Sequence, residues 1–439
     1  MLRLHSTITG TLALVISALA IAPKNLAQVV APITHVLHNF KGQSIDGAAP
    51  RAGVVIGPNG VLYGTTLMGG KQNCLTGCGT VYALVPPAAG SSGHWTEKII
   101  HAFDFSVGDG YAPTANLVFG PNGSLYGTTL YGGAANVGVV FELKPPLPGA
   151  ADADWTETIL YSFLGSSAHD GANPSGTLAL GKGGTIYGST SSGGLVNATC
   201  PPAGCGTVFE LAPSTEGAPW KETILHNFTG EGGEGYGPSS GVIIGKDGGL
   251  YGTTCIGGSG GGTVFQLKLA DTAGINWTID TIYLFNAPND GTCPTGGLAA
   301  DTTGALYGTT ENGGDQRGGT VFKLTPGTAG VWNETILHNF GGAGDGNQPM
   351  AGLVIGPAGS LYGTTYVGGL NLFCCGTVFR LRPPTTAGGR WSETMYNLTY
   401  TDGVFPYLGS LAQDKAGRLY GTASAGGSRQ AGTVFEVVF

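Results

Sequence analysis

The pentapeptide LYGTT stands at residues 62–66, 125–129, 250–254, 306–310 and 361–365, with IYGST at 186–190 and LYGTA at 419–423. Its seven tyrosines, Tyr63, Tyr126, Tyr187, Tyr251, Tyr307, Tyr362 and Tyr420, recur every 55–64 residues. A chain that repeats itself in this way builds units that bury their apolar faces only against their neighbours, as solenoids and propellers do. A period of about 60 residues leaves room for four short strands and their loops.

Each unit carries four phrases. The first is an apolar run closed by a turn, as in AGVVIGPNG (52–60), ANLVFGPNG (115–123) and AGLVIGPAG (351–359). An apolar run ending in Asn-Gly is a hairpin signal. The second is LYGTT, followed by a Gly pair such as Gly69-Gly70. The third is GTVF, at Gly79–Tyr82 as GTVY, at Gly138–Phe141 as GVVF, and at Gly206–Phe209, Gly262–Phe265, Gly319–Phe322, Gly376–Phe379 and Gly432–Phe435. The fourth is WTETILYSF (155–163) and its relatives, opened by Trp95, Trp155, Trp220, Trp277, Trp332 and Trp391. The Val, Thr and aromatic content favours strands, and no helical period is present. The first three phrases occur seven times, and the last unit stops after its third. The missing fourth phrase stands alone near the N-terminus as THVLHNF (34–40). That complementarity predicts an all-β fold: a seven-bladed β-propeller of four-stranded blades, its ring closed by residues 34–40 completing the last blade. Closure removes the open edges that a linear array would leave.

Composition agrees. Gly is 81 of 439 residues, charged residues are only 10 %, and the net charge of −8 is thinly spread. With no basic patch, nucleic acid is not expected as a partner. Arg3 and His5 precede the apolar run Leu12–Ala22, which is followed by small residues up to Ala27. This reads as a signal peptide over residues 1–27, leaving one propeller domain over 28–439, secreted, with no membrane span after cleavage. A closed ring predicts a monomer. The even number of cysteines, eight, suits an oxidising compartment.

The pattern of Pro-x-Ala-Gly-Leu, then LYGTT, a Gly pair and GTVF resembles the Gloeobacter/Verrucomicrobia tandem repeat of "choice-of-anchor" bacterial surface proteins, over nearly all of residues 33–439. The resemblance implies an exported repeat protein and brings no known catalytic activity. The Gly pair and the later Trp also resemble kelch repeats.

Every blade is introduced by an acid-Gly-x-x-Pro segment, which singles out Asp46, Asp109, Asp170, Glu234, Asp290, Asp345 and Asp402. With the first strands lining the channel, these acids are expected in a ring near one channel mouth. One reading is turn chemistry: the acid caps its own backbone, the Gly takes positive φ and the Pro fixes the strand start. The other is a collar for a polar ligand or a cation, of which calcium is the one considered; no other cofactor and no other metal are expected. The cysteines predict local staples Cys74/Cys78 and Cys200/Cys205 and a vicinal pair Cys374/Cys375; Cys255 and Cys293 could bridge neighbouring blades. None has the repeated C-x2-C spacing of a zinc site. His38, His101, His226 and His338 share one position in the fourth phrase with Tyr161 and Tyr283, which points to packing or a structural hydrogen bond. The register slips near Tyr396. No catalytic residue is identified. The expected function is a binding or scaffold module for polysaccharide, a cell-surface component or protein, held on the loop face that carries the cysteines. The competing readings are a carbohydrate lyase or glycoside hydrolase at the channel mouth, and a purely structural surface protein.

Overall fold

The computed structural model describes residues 31–42, 46–88, 90, 93–147, 154–214, 219–258, 260–270, 276–285, 290–370, 373–386 and 388–439. Residues 1–27, read from sequence as a signal peptide, lie outside these. Residues Pro32–Phe439 form one compact unit.

That unit is a seven-bladed propeller of mainly four-stranded antiparallel sheets. Blade 1 pairs Val55–Ile56, Leu62–Thr66, Thr80–Val85 and Thr96–Ala102 in that order. Blades 2 to 6 repeat this arrangement. Blade 7 runs Ala412–Gln413, Leu419–Ala423, Thr433–Val438, and then takes Ile33–Asn39 as its outer strand. Ile33 faces Val438 and Asn39 faces Thr433, so the two chain ends close the ring. Among the described residues the only helices are single 3-10 turns, and none is long and apolar enough to cross a membrane.

The repeat residues are packing devices. In blade 2, Gly127 lies opposite Phe141 in the ladder. A Cβ on Gly127 would come 2.5 Å from Phe141 Cζ, so the glycine of LYGTT makes room for the ring of the third strand. The second Thr bonds across the same pair, as in Thr66 Oγ1 to Thr80 Oγ1 at 2.7 Å. The Tyr packs against the next blade's Trp, as in Tyr63 with Trp155 at 5.7 Å and Tyr251 with Trp332 at 5.9 Å. Where blade 7 has no such Trp, Phe439 meets Tyr362 at 5.9 Å.

Blades join through aromatic pairs. Phe103 stacks edge-on against Phe141 at 5.3 Å, Phe163 against Phe209 at 5.1 Å, and Phe285 against Phe322 at 5.2 Å. All of these rings are fully buried, and each pair contributes about 0.5–1.5 kcal/mol beyond its area. A second joint is glycine to proline. Gly138, the Gly of the third phrase, has φ +108, and a Cβ there would lie 2.5 Å from Pro174 Cδ of the next blade. The proline of each acid-Gly-x-x-Pro segment fits such a glycine.

The slip at Tyr396 has a local cause. In the other six blades the fourth strand carries a bulge, such as that between Val140 and Phe141 opposite Tyr161 and Ile159. Blade 6 pairs without one, Val378 with Tyr396 and Phe379 with Met395. The missing residue is the bulge, and Tyr396 keeps its place.

Candidate functional site

The seven acids of the repeat do not gather at the channel mouth. That expectation is corrected: each acid follows an outer strand and turns into the seam between two blades. Asp46 accepts from Lys41 N at 2.9 Å and Gly47 N at 2.6 Å. Asp170 accepts from Leu164 N at 2.8 Å and Gly171 N at 2.6 Å. Asp402 accepts from Thr399 N and Thr399 Oγ1, at 3.1 and 2.7 Å. Each acid thus ties down its own turn. A positive φ falls two residues beyond the glycine, on Ala49, Ala112, Asn173, Gly237, Cys293, Gln348 and Phe405, and the glycine itself takes one only at Gly403. The amide so turned bonds the blade before it, as Ala112 N does with Cys78 O at 3.0 Å.

Each acid also has a side-chain partner on the outer strand before it, and five of the seven face a carboxyl on the outer strand after it. The residue at the shared His/Tyr position comes from the blade before. Tyr161 OH donates to Asp170 at 2.9 Å, Tyr283 OH to Asp290 at 3.0 Å and Tyr396 OH to Asp402 at 3.1 Å. His101 Nε2 lies 3.0 Å from Asp109, and His338 Nε2 lies 3.2 Å from Asp345. His226 meets Glu234 in the same way. His38 Nε2 stands further off, 3.6 Å from Asp46. From the blade after comes the Glu of the W-x-E opening: Glu97, Glu157, Glu222, Glu334 and Glu393. The sequence reading passed over these five. Their signal was there: each lies two residues after a Trp, on a strand whose alternate positions face solvent.

Two carboxyls packed together in a seam cannot both ionise freely. Burial, and then Asp46, pushes Glu97 up to about 9. Burial, and then Asp170, pushes Glu222 up to about 7. Glu334 rises to about 7 through burial and Asp290, against a hydrogen bond from Tyr283. Asp46 moves the other way. Burial works against its ionised form, but the nearby His38 and Glu97 side chains and a hydrogen bond from Lys41 N hold it below its ordinary value.

The channel differs from the seams. The first strands enclose a cavity of about 400 Å³, lined among others by Thr114, Asn116, Ser175, Ser239, Thr295 and Ser410. No lining residue is ionisable. Neighbouring walls bond through these small groups: Gly53 N donates to Asn116 Oδ1 at 2.6 Å, and Thr422 Oγ1 to Ala52 O at 2.7 Å. Thr114 and Ser239 bury hydroxyls that have no protein partner.

Beside the channel, on the face bearing the acid-Gly-x-x-Pro turns, the sevenfold pattern breaks. Tyr366 lies 5.2 Å from Phe405 at an interplanar angle of 35°, and 5.6 Å from Tyr407. Arg51 caps the Tyr407 ring at 4.8 Å. A second group, on blade 2, puts Tyr111 5.3 Å from Tyr131 at 30°, with Phe105 5.4 Å from Tyr111. Tyr131 and Phe105 are exposed. Sequence analysis singled out residues of the repeated phrases and the cysteines, and so missed both clusters.

The structure joins Cys74 to Cys78, Cys200 to Cys205, Cys255 to Cys293 and Cys374 to Cys375. Cys255–Cys293 links blades 4 and 5. The other three close loops between second and third strands. These loops hold large apolar side chains in solvent: Leu75 on the first, Leu195 and Val196 on the second, Leu370 and Phe373 on the third. Lys71 and Asn73 fasten the first loop to Asp104, at 2.9 and 2.5 Å.

Among solved structures, a fungal alcohol oxidase in complex with copper is similar, with a TM-score of 0.54 and 15 % identity, covering 92 % of this chain and 75 % of that one. A Trypanosoma rangeli sialidase is similar with a TM-score of 0.41 and 12 % identity, covering 93 % of this chain and 59 % of that one. The likeness is one of fold alone. No curated protein matches. The family described as the Gloeobacter/Verrucomicrobia repeat matches over residues 27–200 and 156–369, which is more than half of the sequence. With its seven blades built on that unit, the chain belongs to the Gloeobacter/Verrucomicrobia repeat family.

Proposed function

We propose that the protein is a binding propeller, working outside the cytoplasm, whose loop face holds an uncharged polysaccharide at the channel mouth. The observation that carries this is the aromatic group Tyr366, Phe405 and Tyr407 beside a channel lined with hydroxyl and amide groups and no ionisable side chain. Ligand sites combine apolar and aromatic walls with a few placed polar groups. Tilted rings offer flat apolar faces to sugar C–H groups, and Thr114 and Ser239 supply buried hydroxyls still free to bond. Acid–base chemistry needs a titratable group within reach of the substrate, and the channel lining has none. Four disulfides agree with an oxidising compartment.

A protein partner is the second reading. It is favoured by Leu75, Leu370 and Phe373, held in solvent on disulfide-stapled loops. Pre-organised loops lose little entropy on binding, and exposed apolar clusters mark interaction surfaces.

The test is thermal unfolding of the chain from about Gln28 to Phe439 against neutral and charged polysaccharides. A ligand bound only by the folded state raises the midpoint, by about 2.7 kcal/mol of stability at one hundred times its Kd. A rise with a neutral glycan, lost in Tyr407→Ala at unchanged ligand-free midpoint, supports the first reading. No rise with any glycan rejects it and leaves the second.

A further inference from the structure

We propose that three seams of the propeller, His38/Asp46/Glu97, His101/Asp109/Glu157 and His338/Asp345/Glu393, are binding sites for a divalent transition-metal cation of the zinc type. The proposal is independent of the loop-face reading.

In each seam one imidazole and two carboxylates bring a ligand atom apiece to within 4.8 Å of one another. The imidazole nitrogen stands 3.6, 3.0 and 3.2 Å from the Asp oxygen in the three seams. It stands 3.4, 3.5 and 3.7 Å from the Glu oxygen. A tetrahedral zinc with bonds of about 2.0 Å sets its ligand atoms about 3.3 Å apart. The two distances to the imidazole nitrogen in each seam therefore suit a cation sitting between the three groups, and the Asp and Glu oxygens lie within 4.8 Å of each other.

A second observation points the same way. Glu97, Glu157 and Glu393 each bury a carboxylate oxygen, Oε1, that has no hydrogen-bond partner, as Glu222 and Glu334 do in two of the other seams, and in the first seam His38 Nε2 has none either. Buried polar atoms are rarely left so. A cation would satisfy these lone pairs together.

The donor set selects the class of metal. Calcium prefers six to eight oxygens, whereas one imidazole with two carboxylates suits zinc and its neighbours. The His side chains are 12, 18 and 21 % exposed, which leaves a path from solvent and room for a water as fourth ligand.

The remaining seams act as controls written into the chain. Tyr161, Tyr283 and Tyr396 stand where a histidine would, and their hydroxyls donate to the acid. His226 and Glu234 have Ile279 at the place of the third ligand. None of these four forms a three-ligand group of the same kind. Each proposed site takes its His from one blade and its Glu from the next, so the cation would pin blade to blade. At His38 it would pin the strand that closes the ring.

The chain from about Gln28 to Phe439 is stripped with chelator, loaded with Zn²⁺ and passed through gel filtration, and the bound metal is counted. Three zinc ions per chain are expected, matching the three groups. His38→Tyr, His101→Tyr and His338→Tyr each remove one ion. Tyrosine is what the chain itself uses at this position elsewhere, so the metal-free variants should unfold at the same midpoint as the metal-free parent. His226→Tyr leaves the count unchanged, and excess Ca²⁺ does not displace the zinc. Absence of retained zinc in the parent overturns the proposal. So does a zinc count that the three variants leave untouched, which would mark adventitious surface binding.

Discussion

A single glycine shows how this chain fits together. Gly127 has an ordinary extended backbone, so an alanine there meets no conformational penalty, only the ring of Phe141 and, at 2.9 Å, Cδ2 of Leu117. Gly127→Ala is expected to destabilise by about 1–3 kcal/mol, the usual effect of overpacking. Phe141→Leu in the same chain should recover part of the loss, and denaturant unfolding of the two singles and the double reads the coupling. That LYGTT is a packing motif could be read from sequence, because it recurs in every unit with its Tyr-Gly pair unchanged. Which group its glycine serves could not, because the partner is set by the register with a strand beyond a variable loop. The same limit hid the seams. Asp109 and Glu157 are legible as separate repeats, but they stand 48 positions apart, and only the stacking of blades brings both carboxyls to His101. The acid-Gly pair was readable as a turn, while the positive φ moved to Ala112. That shift follows from the hydrogen bond its amide makes to the preceding blade, a contact that no local pattern encodes.

At the level of the strand, the orphan fourth phrase was the most legible element, since it matches a gap at the other end of the chain. Its pairing with Thr433–Val438 covers what would otherwise be an open edge. It also seats Phe40 against Tyr82 of blade 1 at 5.2 Å. A chain beginning at residue 41 should therefore lose more than one strand. Unpaired edges recruit other chains, so the truncated protein is expected to elute as dimers or larger species in gel filtration. A synthetic peptide of residues 33–40 should return it to monomer. If the truncated chain stays monomeric and unfolds at the parental midpoint, the strand does not close the ring. The loop face was less legible. Its cysteines marked the stapled loops, but Tyr366, Phe405 and Tyr407 come from two blades and differ from their counterparts in the other units. A reading built on what repeats passes over what does not.

For the whole molecule, the seams repeat one electrostatic arrangement around the ring, and small effects add. Glu222 faces Asp170 and Tyr161, and Glu334 faces Asp290 and Tyr283; both carboxyls are held up to about 7. A carboxyl raised in the folded state keeps its proton longer there than in the unfolded chain. Its stabilising effect is complete below the unfolded pKa, about 4.5, and fades as pH rises to about 7. The unfolding midpoint should thus fall between pH 5 and pH 8. The double variant Glu222→Gln with Glu334→Gln should flatten that slope and unfold at a higher temperature than the parent at pH 8. A slope that the double variant leaves unchanged would place the dependence elsewhere. The ring closure carries a consequence in time. The strand that finishes the last blade is made long before its partner, since Thr34 bonds Glu436 across 402 positions. At about 5–20 residues per second that stretch takes roughly 20–80 s to synthesise. Through that interval Ile33–Asn39 has no native partner, so an early strand is among the last to settle, and whatever handles the nascent protein must keep one sticky strand idle until Thr433–Val438 has been made.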